Sequence, residues 1–395
     1  MRSQIEGSRA IAQAIARCRP QVVPAYPITP QTHIVEALGA MVKSGALAGC
    51  EFITVESEFA AMSAAIGASA AGARAYTATA SQGLLYMAEA LFNASGLGLP
   101  IVMTVANRAI GAPINIWNDQ SDSMSMRDCG WVQLYAQDNQ DAVALHVIAF
   151  RLAQELSVPV MVCVDGFVLT HAVEAIDVPG AEIVDAFLPP MSARQRVDPS
   201  DPVAIGAMVG PEAFTEVRFL TDADLRRAAH VFPAQASEYL RLSGYHVGEV
   251  SKYRLDTAST VVVTLGSVSG TVREALDDMD GDIGLLTLTM YRPFPAAVVR
   301  SALAHASQVI VLERAFSPGA PEGPVTADVR TALAGTGADI KTVVAGLGGR
   351  AVTRSALHAM LATALAGELP AVSFLDLRAD VVERELARRE AGVAT

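Results

Sequence analysis

Three residues of different chemistry stand at the ends of three separate apolar runs. Thr29 lies in Ala25-Tyr26-Pro27-Ile28-Thr29-Pro30, Glu58 in Val55-Glu56-Ser57-Glu58-Phe59, and Arg108 in Asn107-Arg108-Ala109. A fourth segment, Thr79-Ala80-Ser81-Gln82-Gly83, has the same placement. In an open parallel sheet such points line the crevice beyond the strand ends, where ligands bind. A hydroxyl, a carboxylate and a guanidinium there suit a small anionic substrate together with a heterocyclic cofactor.

Each residue also has a plainer use. Glu58 opens a stretch made mostly of Ala, Ser, Gly, Ile and Met. A first-turn Glu can simply face the helix dipole. Buried at an apolar contact, it could instead share a proton with a ring nitrogen. Glu56 competes for that role; if it ends the strand, it points to the opposite face. Thr29 can cap a helix with Pro30 as its first residue, or bond a carboxylate at the helix N-terminus. Arg108 can fork onto a carboxylate or close a structural ion pair. Ser81-Gln82-Gly83 can be an ordinary strand-to-helix turn.

The elements that must hold these groups read as alternating strands and helices. Short apolar runs at 21–26, 52–55, 75–80, 101–106 and 159–164 are expected strands. Helical patterns follow at 57–71, 83–93 and 139–156, with Asn139 as the expected cap of the last. Such alternation predicts a doubly wound parallel sheet. From 179 to 211 the chain is rich in proline yet carries Phe187, Leu188, Met191, Val197 and Ile205. That composition fits an arm lying on a surface better than a solvated linker. A polar helix is expected over 222–244. A second α/β unit starts near Ser259, with strands at 261–267, 284–288, 308–312 and 341–345, helices at 271–278 and 295–304, and a loop at Tyr291-Arg292-Pro293-Phe294-Pro295. The expected organisation is α/β, two doubly wound parallel-sheet domains over 1–178 and 259–395, joined by an extended arm and helical connector over 179–258.

Composition removes several function classes. The chain has 395 residues, 51% hydrophobic and 18% charged, with a net charge of −12. The excess of acid and the lack of a Lys/Arg cluster argue against nucleic-acid binding. No apolar run approaches the ~18–20 residues of a membrane span. The first residues lack the apolar centre of a signal peptide, so a cytoplasmic protein is expected. The four cysteines, Cys18, Cys50, Cys129 and Cys163, form no CxxC unit. They read as buried small apolar residues rather than zinc or iron–sulfur ligands. No residue of this chain is expected to bind a metal. The glycine turns at 266–270 and 346–349 lack the acid of a dinucleotide fingerprint.

Taken together, these segments resemble the alpha subunit of 2-oxoacid:ferredoxin oxidoreductases, most closely the pyruvate:ferredoxin oxidoreductase type. The resemblance rests on Tyr26-Pro27-Ile28-Thr29-Pro30, Ser57-Glu58, Thr79-Ala80-Ser81-Gln82-Gly83 and Asn107-Arg108-Ala109. It extends through Asn115-Ile116-Trp117-Asn118-Asp119-Gln120, Asp165-Gly166-Phe167, Tyr291-Arg292-Pro293-Phe294-Pro295 and Gly346-Leu347-Gly348-Gly349-Arg350. These segments occur in family order over almost the whole chain. Only Leu312 to Ala320 matches loosely.

The resemblance implies a thiamine diphosphate enzyme that decarboxylates pyruvate oxidatively, giving acyl-CoA, CO2 and reduced ferredoxin. The first domain would be the pyrimidine-binding domain, and the second would be similar to the transketolase C-terminal domain. Glu58 matches the glutamate that bonds the aminopyrimidine ring. Pro27, Ile28, Gln82 and Gly83 fall at the other cofactor contacts. Thr29 and Arg108 match the substrate-carboxylate residues, with Ile116 and Trp117 beside them. An aryl 2-oxoacid such as phenylglyoxylate is the alternative substrate, and a non-catalytic assembly subunit the alternative class. A complete transketolase-like enzyme is disfavoured, because no diphosphate motif is present. The family places the Mg2+ and diphosphate site and a 4Fe-4S cluster on a beta subunit. Gamma and ferredoxin-like delta subunits complete the complex, and coenzyme A is a cosubstrate.

Overall fold

The computed structural model describes residues 2–202, 204–279 and 281–392. The chain begins β1 (Ser3–Glu6), α1 (Gly7–Arg17), β2 (Val22–Ala25), α2 (Thr32–Lys43), β3 (Glu51–Thr54), α3 (Glu58–Ala70) and β4 (Tyr76–Thr79). It continues α4 (Ser81–Tyr86), α5 (Ala88–Gly96), β5 (Val102–Asn107), α6 (Ser121–Ser125), β6 (Val132–Tyr135), α7 (Asn139–Leu156) and β7 (Val160–Asp165). β8 (Val173–Ile176), α8 (Ala181–Phe187) and α9 (Phe214–Ser243) follow. The remainder is β9 (Val250–Tyr253), β10 (Thr260–Leu265), α10 (Val268–Asp277), β11 (Ile283–Leu288), β12 (Met290–Arg292), α11 (Ala296–Leu303), β13 (Gln308–Glu313), α12 (Pro324–Ala332), β14 (Asp339–Val344), α13 (Arg354–Leu365), β15 (Val372–Phe374) and α14 (Ala379–Glu390).

The fold is α/β with two parallel-sheet layers, as the alternation predicts. The first sheet has the order β12-β6-β7-β5-β4. Its strands β4, β5, β6 and β7 run parallel. β2 and β3 form a parallel pair that continues this sheet through a bridge between Val22 and Ala75. The second sheet has the order β15-β14-β13-β10-β11-β9, parallel except for β9. Every residue of β4, β5, β7, β10 and β11 is buried, so neither face of these strands carries a solvated polar set, and β7, β10 and β11 read as mostly apolar runs. One apolar cluster joins Met62, Leu91 and Met103 to Val261, Leu286 and Val309, so the two sheets share a core.

Several details differ from the sequence reading. Thr29-Pro30 does not open a helix; its peptide is cis and α2 begins at Thr32. Gln31 closes a turn over these residues, its N–H bonding the Ile28 carbonyl and its side chain the Tyr26 carbonyl, so Thr29 and Pro30 belong to that turn. α7 is capped by Asp138, whose carboxylate accepts from the Asp141 N–H at 2.7 Å, and not by Asn139. The expected helix at 83–93 is broken at Met87 into α4 and α5. α9 starts at Phe214, earlier than expected, and ends on the left-handed Gly244. Tyr291 and Arg292 are not loop: β12 pairs antiparallel with β6 of the first sheet. β1 and β8 also pair antiparallel.

The proline-rich stretch lies on the first sheet's helices. Arg74 Nη2 and Gln154 Nε2 hold the carbonyls of Pro189 (2.9 Å) and Pro190 (2.7 Å), and Phe187 and Leu188 are buried. All four cysteines are free and buried, and burial pushes the Cys18 and Cys129 thiols up to about 12. Among the described residues no helix is long and apolar enough to cross a membrane.

One buried ion pair fastens the two sheets together. Asp165 ends β7, and its Oδ2 accepts from Arg314 Nη1 at 2.9 Å and from the Ser267 N–H at 2.8 Å. Its Oδ1 accepts from Gln120 Nε2 at 3.0 Å. Gly266 makes room for this, since a Cβ there would lie 2.7 Å from Gln120 Nε2 and 2.9 Å from Asp165 Oδ2. Removing one partner of such a pair leaves a buried charge unpaired. Asp165→Ala should therefore lower unfolding stability by about 3–5 kcal/mol, read from the urea midpoint; a shift below about 1 kcal/mol would show that the clamp is not needed.

Candidate active site

Glu58 is the first residue of α3. Ser57 precedes it in extended backbone, and its Oγ accepts from the Ala60 N–H at 3.1 Å, which fixes the helix start. Glu58 is 8% exposed. Its carboxylate rests on Gly83, where a Cβ would lie 2.6 Å from Glu58 Oε1 and 2.6 Å from Thr79 Oγ1. Only glycine lets α4 approach so closely. No hydrogen bond to the Glu58 carboxylate forms among the described residues, and the buried Thr79 Oγ1 also lacks a partner.

The neighbouring groups are set by a residue that the sequence reading missed. Asp122 in α6 is fully buried. Its Oδ2 accepts from the backbone N–H of Ser81 (2.9 Å) and of Arg108 (3.0 Å). Its Oδ1 accepts from Asn107 Nδ2 (2.7 Å) and the Ser123 N–H (2.7 Å). Burial pushes the Asp122 carboxyl up to about 6, and the four N–H donors oppose that rise. Ser81 adopts φ +52°, a left-handed conformation, with its hydroxyl bonded to the carbonyl of Ala109 and close to Gln82 Oε1. Nothing in the spacing of Gln120 to Ser125 marks one acid as the hub.

Arg108 meets Thr29 directly. Its Nη1 donates to the Thr29 carbonyl at 2.8 Å and its Nε to the Asn115 carbonyl at 3.4 Å. Nη2 has no contact among the described residues. Burial lowers the guanidinium's pKa, and Asp122 partly restores it. Thr29 is exposed and its hydroxyl is unbonded among the described residues. Pro27 is exposed and Ile28 half-buried, on a turn held by Gln31. Gln31 Nε2 bonds the Tyr26 carbonyl at 2.9 Å, and the Gln31 N–H bonds the Ile28 carbonyl at 2.9 Å. Gln82 is half-buried beside Ser81.

Ile116 and Trp117 sit on the loop beyond Arg108, 40% and 52% exposed, and the Ala109 N–H bonds the Trp117 carbonyl at 3.0 Å. This loop leans on the second sheet's glycine turn. The Gly348 N–H bonds Asp119 Oδ2 at 3.1 Å, the Gly349 N–H bonds the Asn118 carbonyl at 2.8 Å, and Asn115 Nδ2 bonds the Gly348 carbonyl at 3.1 Å. A Cβ on Gly349 would lie 2.4 Å from Trp117 Cβ. Thus Glu58, Gly83, Gln82, Arg108, Thr29, Ile116 and Trp117 belong to one connected cluster. Tyr26, Phe59 and Tyr86, on the same turn and helices as these residues, are exposed, with the Phe59 and Tyr86 ring centroids 6.3 Å apart.

The chain is similar to known proteins along most of its length. Residues 13–233 match the family model described as pyruvate flavodoxin/ferredoxin oxidoreductase, thiamine diP-bdg, and residues 258–357 match pyruvate:ferredoxin oxidoreductase core domain II. Pyruvate synthase subunit PorA of Methanosarcina barkeri is 45% identical over 335 residues, 83% of each chain. Ketoisovalerate oxidoreductase subunit VorA of Pyrococcus abyssi is 38% identical over 339 residues, 85% of each chain. Among solved structures, 2-oxoglutarate:ferredoxin oxidoreductase from Magnetococcus marinus has a TM-score of 0.70 at 20% identity, covering 93% of this chain and 65% of that one. A split gene transketolase has a TM-score of 0.52 at 13% identity, covering 92% of this chain and 99% of that one.

The hub can be tested directly. An amide at 122 has one acceptor oxygen and turns an NH2 toward donors, so Asp122→Asn strands buried N–H groups. The expected loss is about 2–4 kcal/mol of stability, measured by urea unfolding.

Proposed function

The chain belongs to the pyruvate flavodoxin/ferredoxin oxidoreductase family, and on that premise we propose that it forms the pyrimidine side of a thiamine diphosphate site in a 2-oxoacid:ferredoxin oxidoreductase. Pyruvate is the substrate and coenzyme A takes the acyl group. Pyruvate ranks ahead of ketoisovalerate because the more similar relatives carry the pyruvate synthase name. Partner subunits supply the Mg2+ and diphosphate site, the iron–sulfur clusters and the docking of ferredoxin. The exposed Phe59 and Tyr86, beside Glu58 and on α4, suit burial against such a partner.

One observation carries this reading: Glu58, only 8% exposed at the start of an apolar helix and seated on a glycine, has no hydrogen bond to its carboxylate among the described residues, so its oxygens are free to accept from a ligand. A carboxylate on an apolar wall, with its oxygens unengaged, accepts well from a protonated ring nitrogen. When bound, thiamine diphosphate supplies the carbon nucleophile for the 2-oxoacid carbonyl and the electron sink for loss of CO2. Glu58 holds the proton at the pyrimidine ring nitrogen. Pro27, Ile28, Gln82 and Gly83 frame the ring. Arg108, through its free Nη2, and Thr29, through its hydroxyl, bind the substrate carboxylate. Partial burial strengthens Arg108's pull on that anion. CO2 leaves as a neutral molecule and the electron pair of the broken C–C bond stays behind in that sink, so the anion that Arg108 holds exists only before decarboxylation and Arg108 acts mainly in ground-state binding. Ile116 and Trp117 limit the side chain of the 2-oxoacid.

The test is anaerobic isolation of the complex containing this chain, followed by viologen reduction with pyruvate and coenzyme A. Glu58→Gln should cut turnover by at least ~100-fold while the subunits still assemble; unchanged turnover removes Glu58 from the chemistry. Arg108→Ala should raise KM for pyruvate so that kcat/KM falls ~10–100-fold; normal saturation by pyruvate counts against its carboxylate role.

A further inference from the structure

Glu6, His33 and His171 come together from three separate parts of the chain. Their ligand atoms all lie within 4.8 Å of one another. Glu6 ends β1, His33 stands in the first turn of α2, and His171 lies in the turn after β7. His33 Nδ1 is 2.6 Å from Glu6 Oε1, and the two imidazole rings face each other with centroids 4.8 Å apart.

The surroundings hold these groups in place. The Gly7 N–H bonds the Ala172 carbonyl at 2.9 Å, and the Ser8 N–H bonds the Thr170 carbonyl at 3.0 Å. A Cβ on Gly7 would lie 2.1 Å from the Leu169 carbonyl oxygen, so β1 and the 167–172 turn are in the closest contact glycine permits. His171 Nδ1 is 2.7 Å from Thr170 Oγ1, which leaves Nε2 as its free ligand atom. Arg9 Nε donates to Glu6 Oε2 at 3.3 Å, which leaves Oε1 toward the imidazoles. Outer partners of this kind orient metal ligands.

We propose that Glu6, His33 and His171 form a binding site for one divalent transition-metal ion, with Zn2+ the best match to two imidazoles and a carboxylate. The ion replaces the proton between His33 and Glu6. Zinc bonds of ~2.0–2.1 Å require small side-chain rotations that draw the three ligand atoms together. The site also reaches the Ile116–Trp117 loop. Phe167 stacks on His171 with centroids 4.8 Å apart and on Trp117 at 4.6 Å. Metal binding therefore reports at Trp117. The only other tryptophan, Trp131, is fully buried.

The test is calorimetric titration of the full chain, stripped of metal, with Zn2+, alongside tryptophan fluorescence. The expected result is one Zn2+ per chain with a fluorescence change that Trp117→Phe abolishes. His33→Ala, His171→Ala and Glu6→Gln should each weaken Zn2+ binding at least ~10-fold. His230→Ala, on α9, should leave it unchanged. His33 is largely exposed, so its variant keeps the fold and the test stands even if His171→Ala fails to fold. No Zn2+ binding, or binding insensitive to His33→Ala, overturns the proposal.

Discussion

A carboxylate with no access to water must be given donors, and Asp122 imposes that demand on the whole site. It gathers N–H groups from the first residue of α4, the residue after β5, the end of β5 and its own helix. The ends of two parallel strands are thereby fixed to one point. Ser81 holds a left-handed conformation because its N–H is bonded there. Gly83, two residues on, then presents its bare backbone to Glu58. Arg108, bonded to the same oxygen through its main chain, is left with its side chain free to reach Thr29.

The same device recurs at other strand ends. Asp165 closes β7 and binds an arginine, a hydroxyl and an N–H of the second sheet. Glu313 closes β13 and accepts from the Val325 and Thr326 N–H groups at the start of α12. Burial pushes its carboxyl up to about 7 against those bonds. Glycine completes the Asp165 and Glu313 junctions, at Gly266 and Gly323, where any Cβ would collide with the acid, and Gly83 does the same for Glu58. The second sheet thus acts as a buttress, and through Gly348 and Gly349 it supports the loop carrying Trp117.

Much of this was legible in sequence, for definite reasons. Strands buried on both faces leave continuous runs such as Val261-Val262-Val263, which need no partner to be recognised. Thr29, Glu58 and Arg108 stood out because each is polar at the end of such a run. β1 and β8 escaped because Ser3–Glu6 and Val173–Ile176 are short, half-exposed and paired over a long separation. Asp122 escaped because its partners are main-chain groups distant in sequence, and a hub of that kind has no spacing signature. The helix expected at Thr29-Pro30 starts at Thr32 instead, because Gln31 closes a turn onto the Ile28 and Tyr26 carbonyls, contacts that Thr-Pro does not announce. The cofactor reading came from ordered family motifs; isolated residues did not carry it.

β12 has a consequence for how the chain is made. It covers the edge of β6, and an uncovered edge offers a row of unpaired backbone groups to any passing strand. β6 ends at Tyr135, whereas β12 ends at Arg292. At ~5–20 residues per second, roughly ten to thirty seconds of synthesis separate the two. For that interval the nascent first sheet stands open on one side, and it is closed by a strand that belongs in sequence to the second.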